Sequence, residues 1–178
     1  MRYPPDNRRL SQLNLEKYKQ ILHYIINSIG TIRNIGKTVL YKILYFCDFD
    51  FYELYEVPLI GETYRKIKYG PAPCNFDKIA KCLEQEGKVK RIKGSYKGYS
   101  QQKFISLKKP TTDLISKFEK ELIDGVTQKL SRMNAAQISR FSHKDMPWRA
   151  TGDKEIINYE LVFYRTPEFS VRKYSDED

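Results

Sequence analysis

The stretch Lys37–Pro73, KTVLYKILYFCDFDFYELYEVPLIGETYRKIKYGPAP, constrains the fold more than any other part of the chain. Val39, Ile43, Phe46 and Asp50 fall on one line at helical spacing, and Leu40, Leu44, Cys47, Phe51 and Leu54 make an adjacent apolar line. Together with Tyr41, Tyr45, Phe49, Tyr52 and Tyr55 they predict a helix buried on most of its circumference, with Lys42, Asp48, Asp50 and Glu53 as its polar relief. Beyond Glu56, Pro58 and Gly61 mark a turn and Thr63 to Tyr69 alternates like a short strand. Tyr69-Gly70-Pro71-Ala72-Pro73 then imposes an extended bend, because proline fixes φ and restricts the residue before it.

The flanking segments predict an α+β, helix-dominated single domain with a small antiparallel sheet. Leu15, Tyr18, Leu22, Ile25, Ile26 and Ile29 recur at helical spacing up to Gly30, with His23 on or near the polar side. Gly30 to Thr38 is close to a phosphate-binding loop, but five residues rather than four separate its glycines and a helix precedes it; it is an interhelical loop. Asn75 is placed to cap a third helix carrying Phe76, Ile79, Ala80 and Leu83 and stopped at Gly87. Val89 to Ile92 and Lys103 to Leu107 follow as two strands around a Gly94–Gly98 turn, and three helices followed by a hairpin have a winged-helix-like layout. Asp113 is expected to cap a helix through Val126, Asn134 a shorter one over Ala135 to Phe141, and Ile156 to Phe163 to form a last strand pairing with the hairpin. Residues 1–14 are expected to be a tail, 15–164 the domain, and 165–178 a charged, mobile tail.

Candidate chemistry is sparse. Ser142, His143 and Asp145 are the residue types of a hydrolase triad, yet triad members converge from distant parts of a chain, so a structural role for a helix-end His under Pro147 and Trp148 is expected instead. Two distant histidines and no Cys-x-x-Cys predict no metal site, and no cofactor is expected. Three cysteines without paired spacing fit a reducing compartment and are expected to be small buried hydrophobes. Asp48 and Asp50 are two apart on a helix and face different ways. No apolar run is long enough for a membrane span, and the first residues lack the apolar core of a signal peptide, so a cytoplasmic, non-enzymatic protein is expected.

Four ordered motifs carry a resemblance. Lys42-Ile43-Leu44-Tyr45-Phe46-Cys47-Asp48, Pro58-Leu59-Ile60-Gly61, Tyr69-Gly70-Pro71 and Ser142-His143-Lys144-Asp145-Met146-Pro147-Trp148 together resemble the Panacea domain of SocA-like antitoxins, over about Leu15 to Tyr164. The resemblance implies the neutralising half of a bacterial or phage toxin–antitoxin pair and a cognate toxin as partner. Many members of that family carry an extra DNA-binding module, and none is expected in this chain. The toxin-binding surface is expected around Tyr45, Asp48, Tyr64, Tyr69, Gly70, Pro71 and Trp148, since tyrosine and tryptophan are enriched where proteins meet.

The hairpin offers an alternative. Residues 88 to 110 hold eight Lys or Arg and no acid, against a net charge of +10 for the chain. Lys88, Lys90, Arg91, Lys93, Lys97 and Lys103, with Tyr96 and Tyr99 at the tip, suit weak phosphate contact by a wing, or attraction of an acidic toxin surface. The preceding helix, with Asp77, Lys78, Lys81, Glu84 and Glu86, is too neutral for a groove reader. Salt dependence of binding separates these alternatives from a merely solvated hairpin.

Overall fold

Helix α2 (Lys37–Tyr55) is the axis about which the computed structural model, describing residues 13–174, is arranged. Both expected apolar lines are inside except at half-buried Asp50 and Leu54, and Tyr45 and Phe49 are fully covered as well. The expected polar relief is corrected: Lys42, Asp48 and Glu53 are also buried, and only Asp50 among the four is half-buried. Other elements therefore cover α2 on every side. Its C-terminus closes on Glu56 in the left-handed conformation (φ 60°), whose N–H donates to the Tyr52 carbonyl.

Helix α1 (Leu15–Ile29) packs its isoleucine face into the same core, capped by Asn14, whose side chain accepts from Lys17 N–H. His23 is buried rather than on the polar side, and its Nε2 lies 3.0 Å from Ser106 Oγ. Residues 30–36 form the expected interhelical loop. Strands β1 (Tyr64–Ile67) and β2 (Gly70–Pro73) pair antiparallel with Ile67 opposite Gly70, so the expected bend is itself a strand. Asn75 precedes α3 (Phe76–Gln85) but makes no side-chain cap; its amide donates to Glu62 at 2.8 Å instead. Strands β3 (Val89–Tyr96) and β4 (Tyr99–Ser106) are longer than expected. Their turn is only Lys97-Gly98, both at positive φ (49° and 81°), the conformation that suits a two-residue hairpin.

The C-terminal half departs further from expectation. Ser116, not Asp113, caps α4 (Lys117–Leu130) through a reciprocal box with Glu119, whereas Asn134 caps α5 (Ala135–Ser142) as expected, in a box with Gln137. A short α6 (Met146–Arg149) follows. The expected last strand contributes one bridge, Ile156 to Arg65 on β1, and then winds into a 3₁₀ helix, Tyr159–Tyr164. It never reaches the hairpin; β1 takes its backbone, with Lys66 N–H donating to the Glu155 carbonyl (2.9 Å) and Ile157 N–H to that of Tyr64 (2.8 Å). Residues 165–174 fold back on α2: Arg165 and Phe169 are buried, and Phe169 lies 4.8 Å from the Phe141 ring. The expected N-terminal tail lies mostly outside the described residues.

The result is an α+β fold, rich in helix, with two small antiparallel two-stranded sheets. Phe46 sits where its parts meet, its ring 5.4 Å from Phe141 and 6.3 Å from Phe169. Phe46→Ala is expected to cost about 3–5 kcal/mol in urea unfolding. A loss below about 1 kcal/mol would mean that the three rings do not form one packed unit.

Candidate partner-binding site

The four motifs are far apart in sequence and meet around α2. Lys42 Nζ, deep in the core, donates to the Pro71 carbonyl at 3.0 Å. Gly70, at φ 107°, lies against the same lysine; a β-carbon there would stand 2.6 Å from Lys42 Cε and 2.5 Å from Ser142 Oγ. Glycine is thus required twice over, by conformation and by space. Asp48 Oδ1 accepts from Ile60 N–H (2.6 Å) and its Oδ2 from the Tyr64 hydroxyl (2.8 Å), joining α2 to the Pro58–Gly61 turn and β1. Tyr45 donates to Asp145 Oδ2 at 2.8 Å, joining α2 to the last motif.

Arg165, which sequence reasoning left in the tail, completes this arrangement. Its Nε and Nη2 donate to the two Asp145 oxygens (2.9 and 2.8 Å), and Nη1 to Asp50 (2.8 Å) and Glu53 (3.0 Å). Burial works against the guanidinium charge, but the Asp50 and Asp145 carboxylates outweigh it and raise the Arg165 pKa further. Burial also pushes Asp50 and Asp48 up to about 6, against the opposing effect of Arg165 on Asp50 and of donated hydrogen bonds on Asp48. Glu53 additionally accepts from Ser170 Oγ (2.5 Å) and Val171 N–H (3.1 Å), fastening the residues after Arg165. The only hint in the sequence was a lone arginine inside the apolar run Leu161–Tyr164 and Phe169.

These placements correct the expected surface. Tyr45, Asp48 and Tyr64 have no exposed face, because the hydroxyls and the carboxylate bond one another and the motif backbone inside the core. Gly70 and Pro71 are buried too. Tyr69 remains, 59% exposed at the β1–β2 turn, and Trp148 is half-buried, with the His143 ring stacked on its indole at 4.1 Å. Lys66 Nζ covers the indole at 3.9 Å from its centre, a cation–π contact. Ile67 (38% exposed) and Ile156 (56% exposed) extend the same strand region with apolar surface. The expected support of the His143 ring for Trp148 is present.

The other candidates separate clearly. Ser142 Oγ donates to the Ser139 carbonyl (2.9 Å) and Asp145 is committed to Arg165 and Tyr45, so Ser142, His143 and Asp145 do not align as a triad. Cys47 is buried, and burial raises its thiol pKa well above the ordinary value; Cys82 is half-buried and Cys74 exposed, contrary to expectation. Among the described residues no cluster of His, Cys, Asp and Glu is placed to hold a metal ion, and no helix is long and apolar enough to cross a membrane. On the hairpin, Lys88 pairs with Glu86 (2.7 Å) and Arg91 with Glu84 (3.4 Å), while Lys103 donates to the Ile32 and Ile35 carbonyls (2.6 and 2.8 Å). Only Lys90, Lys93 and Lys97 of the six expected basic residues lack an ion pair or hydrogen bond among the described residues.

Two predictions follow from the buried charges. Arg165→Met strands three carboxylates that now share one cation, and is expected to cost about 3–5 kcal/mol in chemical denaturation. Burial lowers Lys42 to about 7, so above that pH the unfolded chain holds a proton that the folded one has released. The Lys42 contribution is therefore fully present above its ordinary pKa of about 10.5 and is lost as pH falls through about 7. Between pH 7 and 9 the thermal midpoint of the wild type is expected to gain on that of Lys42→Met; parallel profiles would show that Lys42 stays charged.

Residues 40–149 match the model of a family described as antitoxin SocA-like, Panacea domain. No curated protein and no solved structure gives a significant match.

Proposed function

The chain belongs to the family of SocA-like antitoxins with a Panacea domain, and on that premise we propose that it neutralises a cognate toxin by binding it directly in a stoichiometric complex in the cytoplasm. The supporting observation is how the family motifs are used. Most of their polar groups hold one another around α2, and what they leave at the surface is Tyr69 at the β1–β2 turn, with Ile67 and Ile156 as an apolar patch on the Arg65 face of β1 and half-buried Trp148 under Lys66 on the other.

Such a patch has the chemistry of a protein contact. A rigid, exposed tyrosine brings large area with little side-chain entropy to lose, and an indole pinned between His143 and Lys66 is already ordered before a partner arrives. Lys66 and Lys68 beside it steer an acidic partner without entering the core. On this proposal the motif residues act as scaffold and the turn carries the contact.

A growth assay tests the proposal: the gene adjacent to this one is expressed alone and together with this chain. Growth arrest by the neighbour and rescue by the chain are expected. Tyr69→Ala combined with Ile156→Asp is expected to weaken the complex at least tenfold while leaving the thermal midpoint unchanged, since both side chains are mostly in solvent. A toxic neighbour that this chain does not rescue would overturn direct neutralisation. Full rescue by the double variant, with unchanged affinity, would move the contact elsewhere.

A further inference from the structure

The β3–β4 hairpin has one edge that is covered and one that is free. Leu107 N–H donates to the Lys88 carbonyl at 2.8 Å, and the register places Lys90 opposite Ile105, Ile92 opposite Lys103 and Tyr96 opposite Tyr99. In an antiparallel ladder inward and outward backbone groups alternate. Lys88, Lys90, Ile92, Gly94 and Tyr96 therefore turn their N–H and C=O groups toward β4, and Arg91, Lys93 and Ser95 turn theirs away.

The β4 edge is occupied. Gly30 lies so close to the Phe104 carbonyl that a β-carbon there would stand 2.5 Å from it, and Lys103 reaches across to the carbonyls of the 30–36 loop. Along the β3 edge no group among the described residues accepts from or donates to the backbone of Arg91, Lys93 or Ser95. The same edge carries the unpaired lysines. Lys90 and Lys93 lie on opposite faces of the hairpin, and Lys97 stands at its turn.

From this we propose that the β3 edge, Arg91 to Ser95, takes an extended acidic segment of the partner protein as an added strand. The inference rests on the toxin-binding reading and names the kind of toxin element involved. Main-chain hydrogen bonds to the free edge supply the pairing, and carboxylates three positions apart on the added strand meet Lys90 on one face and Lys93 on the other. A nucleic-acid backbone lying on the hairpin would use cations gathered on one face, and here they are divided between two. A second copy pairing through the same edge would set lysine against lysine.

The test uses the full chain with three fluorescent probes: a decapeptide rich in glutamate and valine, the same peptide N-methylated at alternate residues, and a DNA duplex. Lys93→Pro removes an outward-facing N–H together with the lysine charge, which Lys93→Gln removes alone as the control, so strand addition is read from the further loss in Lys93→Pro over Lys93→Gln. The site is a strand edge where proline is tolerated, so the hairpin is retained and its thermal midpoint is expected to be unchanged. The plain peptide is expected to bind, and both N-methylation and Lys93→Pro to weaken it at least tenfold. Equal binding of the two peptides, or equal binding by Lys93→Pro and Lys93→Gln, would overturn strand addition. Tighter binding of the duplex than of the peptide would assign the edge to nucleic acid, and self-association abolished by Lys93→Pro would assign it to a second copy; either overturns the proposal. Should Lys93→Pro still rescue growth against a toxin that the wild type neutralises, the antitoxin reading stands and the strand-addition inference falls.

Discussion

A charged group taken out of water must find its counter-charge or hydrogen bonds inside the protein, and α2 carries several such groups on a helix covered from every side. They are met by several parts of the chain that lie apart in sequence. Lys42 takes the Pro71 carbonyl; Asp48 takes the Ile60 amide and the Tyr64 hydroxyl. Asp50 and Glu53 take Arg165, and Tyr45 takes Asp145. The apolar burial of α2 supplies the driving force, and its polar groups decide which segment docks where. Hydrophobic contact alone is not directional enough to make that selection.

This arrangement explains why family motifs end up where a partner cannot touch most of them. Tyrosine hydroxyls and carboxylates that would suit an interface are here saturated in the core. On the proposed function, the contact falls to what the scaffold presents: the Tyr69 turn, braced from below by Gly70 against Lys42 and Ser142, and the indole held between His143 and Lys66. A backbone packed so closely beneath the turn limits its motion, and a contact surface that is ordered in advance loses less entropy on binding. The hairpin stands apart from this logic. Three of its basic residues are bound to the body, and its outer edge and remaining lysines are open to solvent.

Helix existence and the main core were legible in the sequence because periodicity reports local geometry directly. Two apolar lines at helical spacing on α2 demand burial wherever the helix sits, Asn134 with Gln137 three residues on spells a capping box, and Gly87, at φ 66°, ends α3 by its own backbone conformation. The order of the motifs sufficed for the family. Turn chemistry was partly legible: a Lys97-Gly98 turn at positive φ is written locally, yet the length of the flanking strands depends on the body they pack against.

Only the tertiary structure decided the fate of the polar residues and of the segment after Trp148. A carboxylate such as Asp48 looks the same in sequence whether it faces water or the Tyr64 hydroxyl, because its partner lies on another element and no local rule connects them. The alternation from Ile156 to Phe163 reads as a strand, but β1 takes only the backbone up to Ile157. Asn158 then caps a 3₁₀ helix through Glu160 N–H, and Val162, off the alternating line, is the residue it buries. Arg165 was hidden for the same reason: its place is defined by three acids brought together from Asp50, Glu53 and Asp145, and that convergence exists only once the chain has folded.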